Sequence, residues 1–190
     1  MTARMTVLGA AGILAAILLP LLASGCLSFT FITVDQQTAL EAQVLGGIAQ
    51  LEQDLSVFVS VRGADEAPAT FDQAEQAALR AMLNRRYNQD DLLRFKDLGC
   101  IAETRKGAVT RYACDHTREV KADVKLLDKL VAEENNDRRE ILTFVVKKSP
   151  DLTTQDMANL FQVFAAMMYR QAAPGHLLEQ DNGQFAPYTP

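Results

Sequence analysis

The chain has 190 residues, no tryptophan and a formal net charge of -5 at pH 7. That acidic balance excludes general nucleic-acid binding, because phosphate neutralisation needs clustered Lys and Arg. Three cysteines and two histidines, without HExxH or CxxC spacing, give no recognisable metal site, and no metal or other cofactor is expected.

The chain opens on Arg4 and an apolar run from Val7 to Leu22, broken by Pro20 and followed by Leu22-Ala23-Ser24-Gly25-Cys26. A short basic start, an apolar stretch and a small-residue exit are the architecture of a secretory signal. Small side chains fit a signal peptidase groove, and the Cys26 thiol is a nucleophile able to accept lipid. Residues 1–25 therefore read as a lipoprotein signal peptide, with cleavage between Gly25 and Cys26 and lipidation on Cys26. Two other readings compete. An uncleaved transmembrane anchor is opposed by Pro20 and the small-residue exit, although the run approaches the roughly 20 residues a spanning helix needs. An ordinary signal with an incidental cysteine is opposed by the agreement of every part of the segment. Ala23 stands where a larger aliphatic residue is commoner. Bacterial lipoproteins carry a diacylglyceryl group on the sulfur and a further acyl chain on the new amino terminus, enough for stable anchoring. Leu27 directly after the cysteine, where an aspartate would favour retention in the inner membrane, points to the periplasmic face of the outer membrane.

Residues 26–34 are the anchor and a short strand: Leu27 to Val34 (LSFTFITV) alternates, with Leu27, Phe29 and Phe31 on one side. Residues 35–172 form a helical domain. Its first helix carries Leu40, Val44, Ile48, Leu51, Leu55 and Phe58 at three- and four-residue intervals and ends near Arg62-Gly63. Gly46-Gly47 weakens its middle by about 1 kcal/mol per glycine. After a loop to Pro68, Thr70 and Gln73 predict a capping box for a second helix along Phe71, Ala74, Ala78 and Met82. Asn84 to Asp91 interrupts that stripe, and Asn88 is expected to cap a further short helix through Leu92, Phe95 and Leu98, stopped by Gly99. The basic residues Arg80, Arg85, Arg86, Arg94 and Lys96 are interleaved with Asp90, Asp91 and Asp97 and read as a solvated helix face.

Residues 99–114 hold glycines and β-branched residues without helical periodicity, which predicts an ordered loop or small hairpin. With Cys26 committed to lipid, Cys100 and Cys114 remain as an even pair in an oxidising compartment, and a disulfide clipping this loop is expected. It would stabilise by about 3 kcal/mol in the chain-entropy model. Two buried free thiols are the alternative. The longest helix follows from Val120 through Val124, Leu127, Val131, Ile141 and Val145 and ends at Ser149-Pro150. Thr153 caps the last helix, with Asp156 in its first turn and Met157, Leu160, Phe161, Phe164 and Met168 on its buried side. Its methionines and aromatics suit either core packing, the simpler reading, or an adaptable groove for a lipid tail or peptide. Ala173-Pro174-Gly175 terminates it, and residues 173–190 are a C-terminal tail with an Asn182-Gly183 turn, either an ordered strap or a frayed end. The fold class is mainly α: a small domain of four to five helices with a short N-terminal strand and a clipped loop or hairpin.

Three separated blocks together resemble one family, the YdbL-like proteins of the Gram-negative envelope. They are Gly99-Cys100-Ile101-Ala102-Glu103 with Gly107; Glu134-Asn135 with Arg138; and Pro174-Gly175 followed by Asn182-Gly183-Gln184-Phe185. The bulky Cys-Ile-Ala between the first glycine and the glutamate departs from the family pattern, as does Phe185 where tryptophan is usual. The resemblance implies association with an AsmA-like bridge protein and a small companion lipoprotein, in a system linked to phospholipid movement between the two membranes.

Glu134, Asn135 and Arg138 fall on or beside the stripe joining Val131 to Leu142. A buried unpaired charge costs several kcal/mol, so Arg138 is expected to meet a carboxylate, with Glu103 the candidate, and Asn135 to bond loop backbone. Such a network locks a fold; the competing reading is a site for a partner's polar group. Cys114-Asp115-His116 holds the residue types of a nucleophile, a base and an orienter, but adjacent side chains rarely aim at one point, and no enzymatic activity is expected.

Two functions of different class follow. One is a non-enzymatic accessory or chaperone-like lipoprotein whose Phe29 and Phe31 add a strand to a partner's sheet edge, unless that strand pairs within its own domain. The other is a lipid-binding module that shields acyl chains between its helices.

Overall fold

The computed structural model of the chain describes residues 34–60, 71–113 and 124–190. Gly25, Cys26, Phe29, Phe31 and the Cys114-Asp115-His116 run lie outside the described residues, as do the signal segment and residues 27–33 of the expected strand; Val34, its expected last residue, instead opens the first helix. The described residues contain four α-helices and a small four-stranded mixed sheet, so the domain is mainly α. None of these helices is long and apolar enough to cross a membrane.

Helix α1 (Val34–Ser60) buries Val44, Leu51, Leu55 and Phe58 at helical spacing. Helix α2 (Gln73–Asp97) begins at Asp72, whose carboxylate accepts the Glu75 N–H at 2.9 Å. That cap replaces the expected Thr70 box, with Thr70 outside the described residues. Helix α3 (Val124–Lys148) is the central element: its residues enter all three apolar clusters of the core. Helix α4 (Met157–Arg170) is entered through a single 3-10 turn, Thr154–Asp156. Thr153, the expected cap, caps that turn through its hydroxyl, and the Asp156 carboxylate accepts the Thr153 N–H, which completes a reciprocal capping box.

Helices α2 and α3 run antiparallel, and polar pairs record their register. Glu75 meets Lys148 at 3.4 Å, Asn84 meets Asp137 at 2.7 Å, and Asn88 meets Glu133 at 3.0 Å. These contacts explain why α2 is one helix and not two. Ala78, Ala81, Arg85, Asn88, Leu92 and Phe95 follow one another at intervals of three and four, so the polar stretch from Asn84 to Asp91 continues the buried face with side chains that find partners on α3. No short helix capped by Asn88 exists.

The loop after α2 is a hairpin of β1 (Ile101–Glu103) and β2 (Val109–Arg111), antiparallel with Glu103 opposite Val109. The C-terminal residues are not a frayed tail. They form a second hairpin, β3 (Leu177–Glu179) and β4 (Phe185–Pro187), and β3 lies parallel to β1 with Glu103 opposite Leu178. The strand order is β2-β1-β3-β4. Tyr169 on α4 ties the hairpins to the helices, its hydroxyl 2.9 Å from the Glu179 carbonyl and 3.3 Å from that of Glu103. Burial, reinforced by the nearby Glu179 charge, pushes this phenol up to about 12, so it remains a donor throughout the physiological range.

Candidate functional site

Arg138 projects from α3 into the interior and is fully buried. Its Nη1 and Nη2 donate to the two Glu103 oxygens at 2.7 and 2.9 Å, its Nε donates to Glu134 Oε1 at 2.7 Å, and Nη1 also reaches the Gly107 carbonyl at 2.9 Å. Each carboxylate has a second cation. Lys96 Nζ donates to Glu103 at 2.6 Å, and Arg85 donates to Glu134 through Nε and Nη2 at 3.0 to 3.2 Å. The result is a ladder, Lys96-Glu103-Arg138-Glu134-Arg85, in which charge alternates at every step. Phe164 lies beneath it, with its ring centre 5.2 Å from the Arg138 guanidinium and 5.6 Å from that of Arg85.

Burial works to raise the Glu103 carboxyl, but Arg138 and Lys96 outweigh it and hold the group down to about 2. Glu134 is lowered for the same reason, with Arg138 and Arg85 overcoming burial. Burial likewise opposes charge on Arg138, and Glu103 and Glu134 reverse that, so the guanidinium holds its proton more tightly than usual. All three groups are ionised at neutral pH. Asp137, one turn from Glu134, differs. It is buried, its only hydrogen-bond donor among the described residues is Asn84, and burial together with Glu134 and Glu133 pushes it up to about 6.

Local structure delivers each rung. After α2, Cys100 N–H returns to the Phe95 carbonyl and Gly99 N–H to that of Lys96, a Schellman closure for which Gly99 adopts φ +67°. This turn sends β1 back past the end of α2 and brings Glu103 to Lys96. Gly107 turns the hairpin at φ +75°, and a Cβ there would lie 2.4 Å from the Phe161 carbonyl oxygen of α4. Asn135 holds the other side of the hairpin: its Oδ1 accepts the Val109 N–H at 2.8 Å and its Nδ2 donates to the Val109 carbonyl at 2.9 Å. In this register Val109 points its backbone polar groups away from β1, so a single carboxamide takes the place of a neighbouring strand at that edge.

Glu103, Gly107, Glu134, Asn135 and Arg138 thus converge on one interior point, with Gly99 placing the strand that carries Glu103. Pro174 and Gly175 lie elsewhere, leading into β3, and Gly183 sits in the β3–β4 turn. Cys100 is buried in the cluster around Phe95 and Ile101, and its expected partner Cys114 is outside the described residues. His176 accepts the Ala173 N–H at Nδ1, at 3.3 Å, which leaves the Nε2 hydrogen to donate to Asp97 at 2.9 Å. Among the described residues no group of His, Cys, Asp and Glu has the arrangement of a metal site.

Sequence reasoning missed Arg85 and Lys96, which it assigned to a solvated face. Their side chains are only 25% and 13% exposed and terminate the ladder. The available signal was the three- and four-residue spacing that carries Arg85 on the same face as Ala78 and Phe95. The fold and site define a mainly α domain in which an internal charge ladder binds the first β-hairpin to the central helix and the second hairpin pairs with the first. No protein family, curated protein or solved structure matches the chain.

Proposed function

We propose that the chain is an outer-membrane-anchored periplasmic lipoprotein. It acts as a non-enzymatic accessory, or chaperone-like partner, of an AsmA-like envelope phospholipid-transport system. The observation that carries this reading is the ordered sequence from Arg4 through the apolar run to Leu22-Ala23-Ser24-Gly25-Cys26. The geometry of the ladder supports its non-enzymatic half. The buried charges bind one another and the hairpin backbone, the arrangement of a network that specifies a fold, and Glu103 and Arg138 are held far from any ionisation useful in proton transfer near pH 7. The transport system and the companion lipoprotein rest on the resemblance in the three sequence blocks.

Two measurements on intact envelopes test the proposal. The native chain is expected to incorporate an alkyne-tagged palmitate and to have a mass consistent with a start at lipidated Cys26, and Cys26→Ala to incorporate none. A polypeptide retaining Met1 without lipid overturns the anchoring. Photocrosslinking from position 29 is expected to trap a β-rich periplasmic partner, and trapping none overturns the accessory role.

A further inference from the structure

The ends of the ladder are less fully bonded than its middle. Arg138 is engaged at all three guanidinium nitrogens, whereas Lys96 makes one hydrogen bond and Arg85 uses only Nε and Nη2. An ammonium has three donors and a guanidinium five. Two Lys96 donors and the Arg85 Nη1 group therefore have no partner among the described residues. Both end cations line one cleft of about 420 Å³ between α1, α2 and the C-terminal end of α4. That volume lies in the range of small-molecule sites.

Charge and wall chemistry narrow the ligand. Three cations share two carboxylates in the ladder, leaving one unit of positive charge at the cleft floor, while Glu52 and Arg86 on the walls offset each other. The remaining wall is largely aliphatic and thioether: Met82, Leu92, Leu93 and Met168. Leu93 is 42% exposed, a large apolar side chain turned to solvent beside open cationic donors. An anion bridging Lys96 and Arg85 would complete the alternation of charge, and an attached apolar chain would cover Leu92 and Leu93.

We propose that this cleft recognises a small amphiphile, with a carboxylate or phosphate head against Lys96 and Arg85 and an apolar chain along α2. The site lies wholly between residues 48 and 176 and is independent of lipidation at Cys26.

The test is calorimetric titration of the full chain in zwitterionic nanodiscs with hexyl phosphate, hexanoate, hexanol and inorganic phosphate, whose short chains or lack of one limit partition into the disc. Hexyl phosphate or hexanoate is expected to bind at least tenfold more tightly than both hexanol and inorganic phosphate. The tighter of the two names the source of the head. Arg85→Gln and Lys96→Gln each leave a carboxylate still paired to Arg138 and are expected to weaken binding at least tenfold. Leu93→Glu adds a negative charge at the exposed wall without touching the ladder. It is expected to abolish binding while the helical circular dichroism is retained. Equal binding of hexanol and the anions, inorganic phosphate binding as tightly as its hexyl ester, or undiminished binding by the folded Leu93→Glu protein overturns the proposal.

Discussion

The Arg138 guanidinium and the Glu103 carboxylate face each other fork to fork across 35 residues of chain, with parallel hydrogen bonds of 2.7 and 2.9 Å. Both side chains are essentially inaccessible to water. The pair joins α3, whose residues enter all three core clusters, to β1, the strand paired to both β2 and β3. Arg138→Leu leaves two buried carboxylates with one cation each, Lys96 on Glu103 and Arg85 on Glu134, and frees the Gly107 carbonyl, so it is expected to destabilise by about 3 kcal/mol. Glu103→Leu should cost a comparable amount, because Glu134 still pairs Arg138 but Lys96 loses its carboxylate and three cations are left on one acid. In urea denaturation the double variant should be more stable than the sum of the singles predicts by more than 1 kcal/mol, on the order of contacting-pair couplings. Additive losses would contradict direct coupling.

Gly46 and Gly47 are neighbours with opposite expected behaviour. A Cβ on Gly46 meets nothing within 4 Å, so Gly46→Ala should stabilise by roughly 0.5–1 kcal/mol through helix propensity. A Cβ on Gly47 would lie 2.7 Å from Val145 Cγ2, and Gly47→Ala should cost about 1–3 kcal/mol by pushing α1 off α3. Thermal melts of the two variants, shifting in opposite directions, check both statements.

Asp137 gives a pH signature. Its carboxyl is raised from 3.8 to about 6 in the folded chain, so folding favours its protonated form. Its contribution to stability is complete below pH 4 and is lost as the pH rises through 6. Asp137→Asn keeps an acceptor for the Asn84 amide and removes the charge. It is expected to stabilise by about 2 kcal/mol at pH 7, with the gain vanishing near pH 4. Glu103 and Glu134 act in the other direction, with stability present above their ordinary values near 4.5 and lost on acidification, for Glu103 as the pH falls through about 2. Denaturant midpoints of native and Asp137→Asn proteins from pH 4 to 8 should therefore diverge as pH rises. Parallel curves would remove Asp137 as the cause.

Gly107→Ala combines two penalties. A residue other than glycine at φ +75° costs roughly 1–2 kcal/mol, and the new methyl group would strike the Phe161 carbonyl of α4. The Gly107 carbonyl itself accepts an Arg138 hydrogen bond, so the ladder shifts with the turn. The expected loss is above about 3 kcal/mol, read as the shift in urea midpoint at unchanged slope. A loss under 1 kcal/mol would mean that the turn relaxes without disturbing α4.

Periodicity made the helices legible, with boundaries blurred where the cap involved an unexpected residue, as at Asp72. The Thr153 cap with Asp156 in the first turn could be read because cap and first turn lie within four residues. Burial logic linked Arg138 to a carboxylate and Asn135 to loop backbone before any coordinates, since both lie beside an apolar stripe where polar groups need partners. Arg85 and Lys96 escape that logic, because a run of mixed charge resembles a solvated face until the neighbour that removes the water is known.

Local spacing alone determined which apolar residues share a face of α1, α3 and α4, and that Arg138 and Asn135, beside the α3 stripe, require partners. Tertiary structure decided the partners: α2 continuous against the acids of α3, β1 parallel to a β3 that lies some 75 residues on, and three cations gathered on two carboxylates. The reason is that side-chain periodicity is a property of a few consecutive residues, whereas the match between a charge and its counter-charge is set by how whole elements dock when their apolar faces meet.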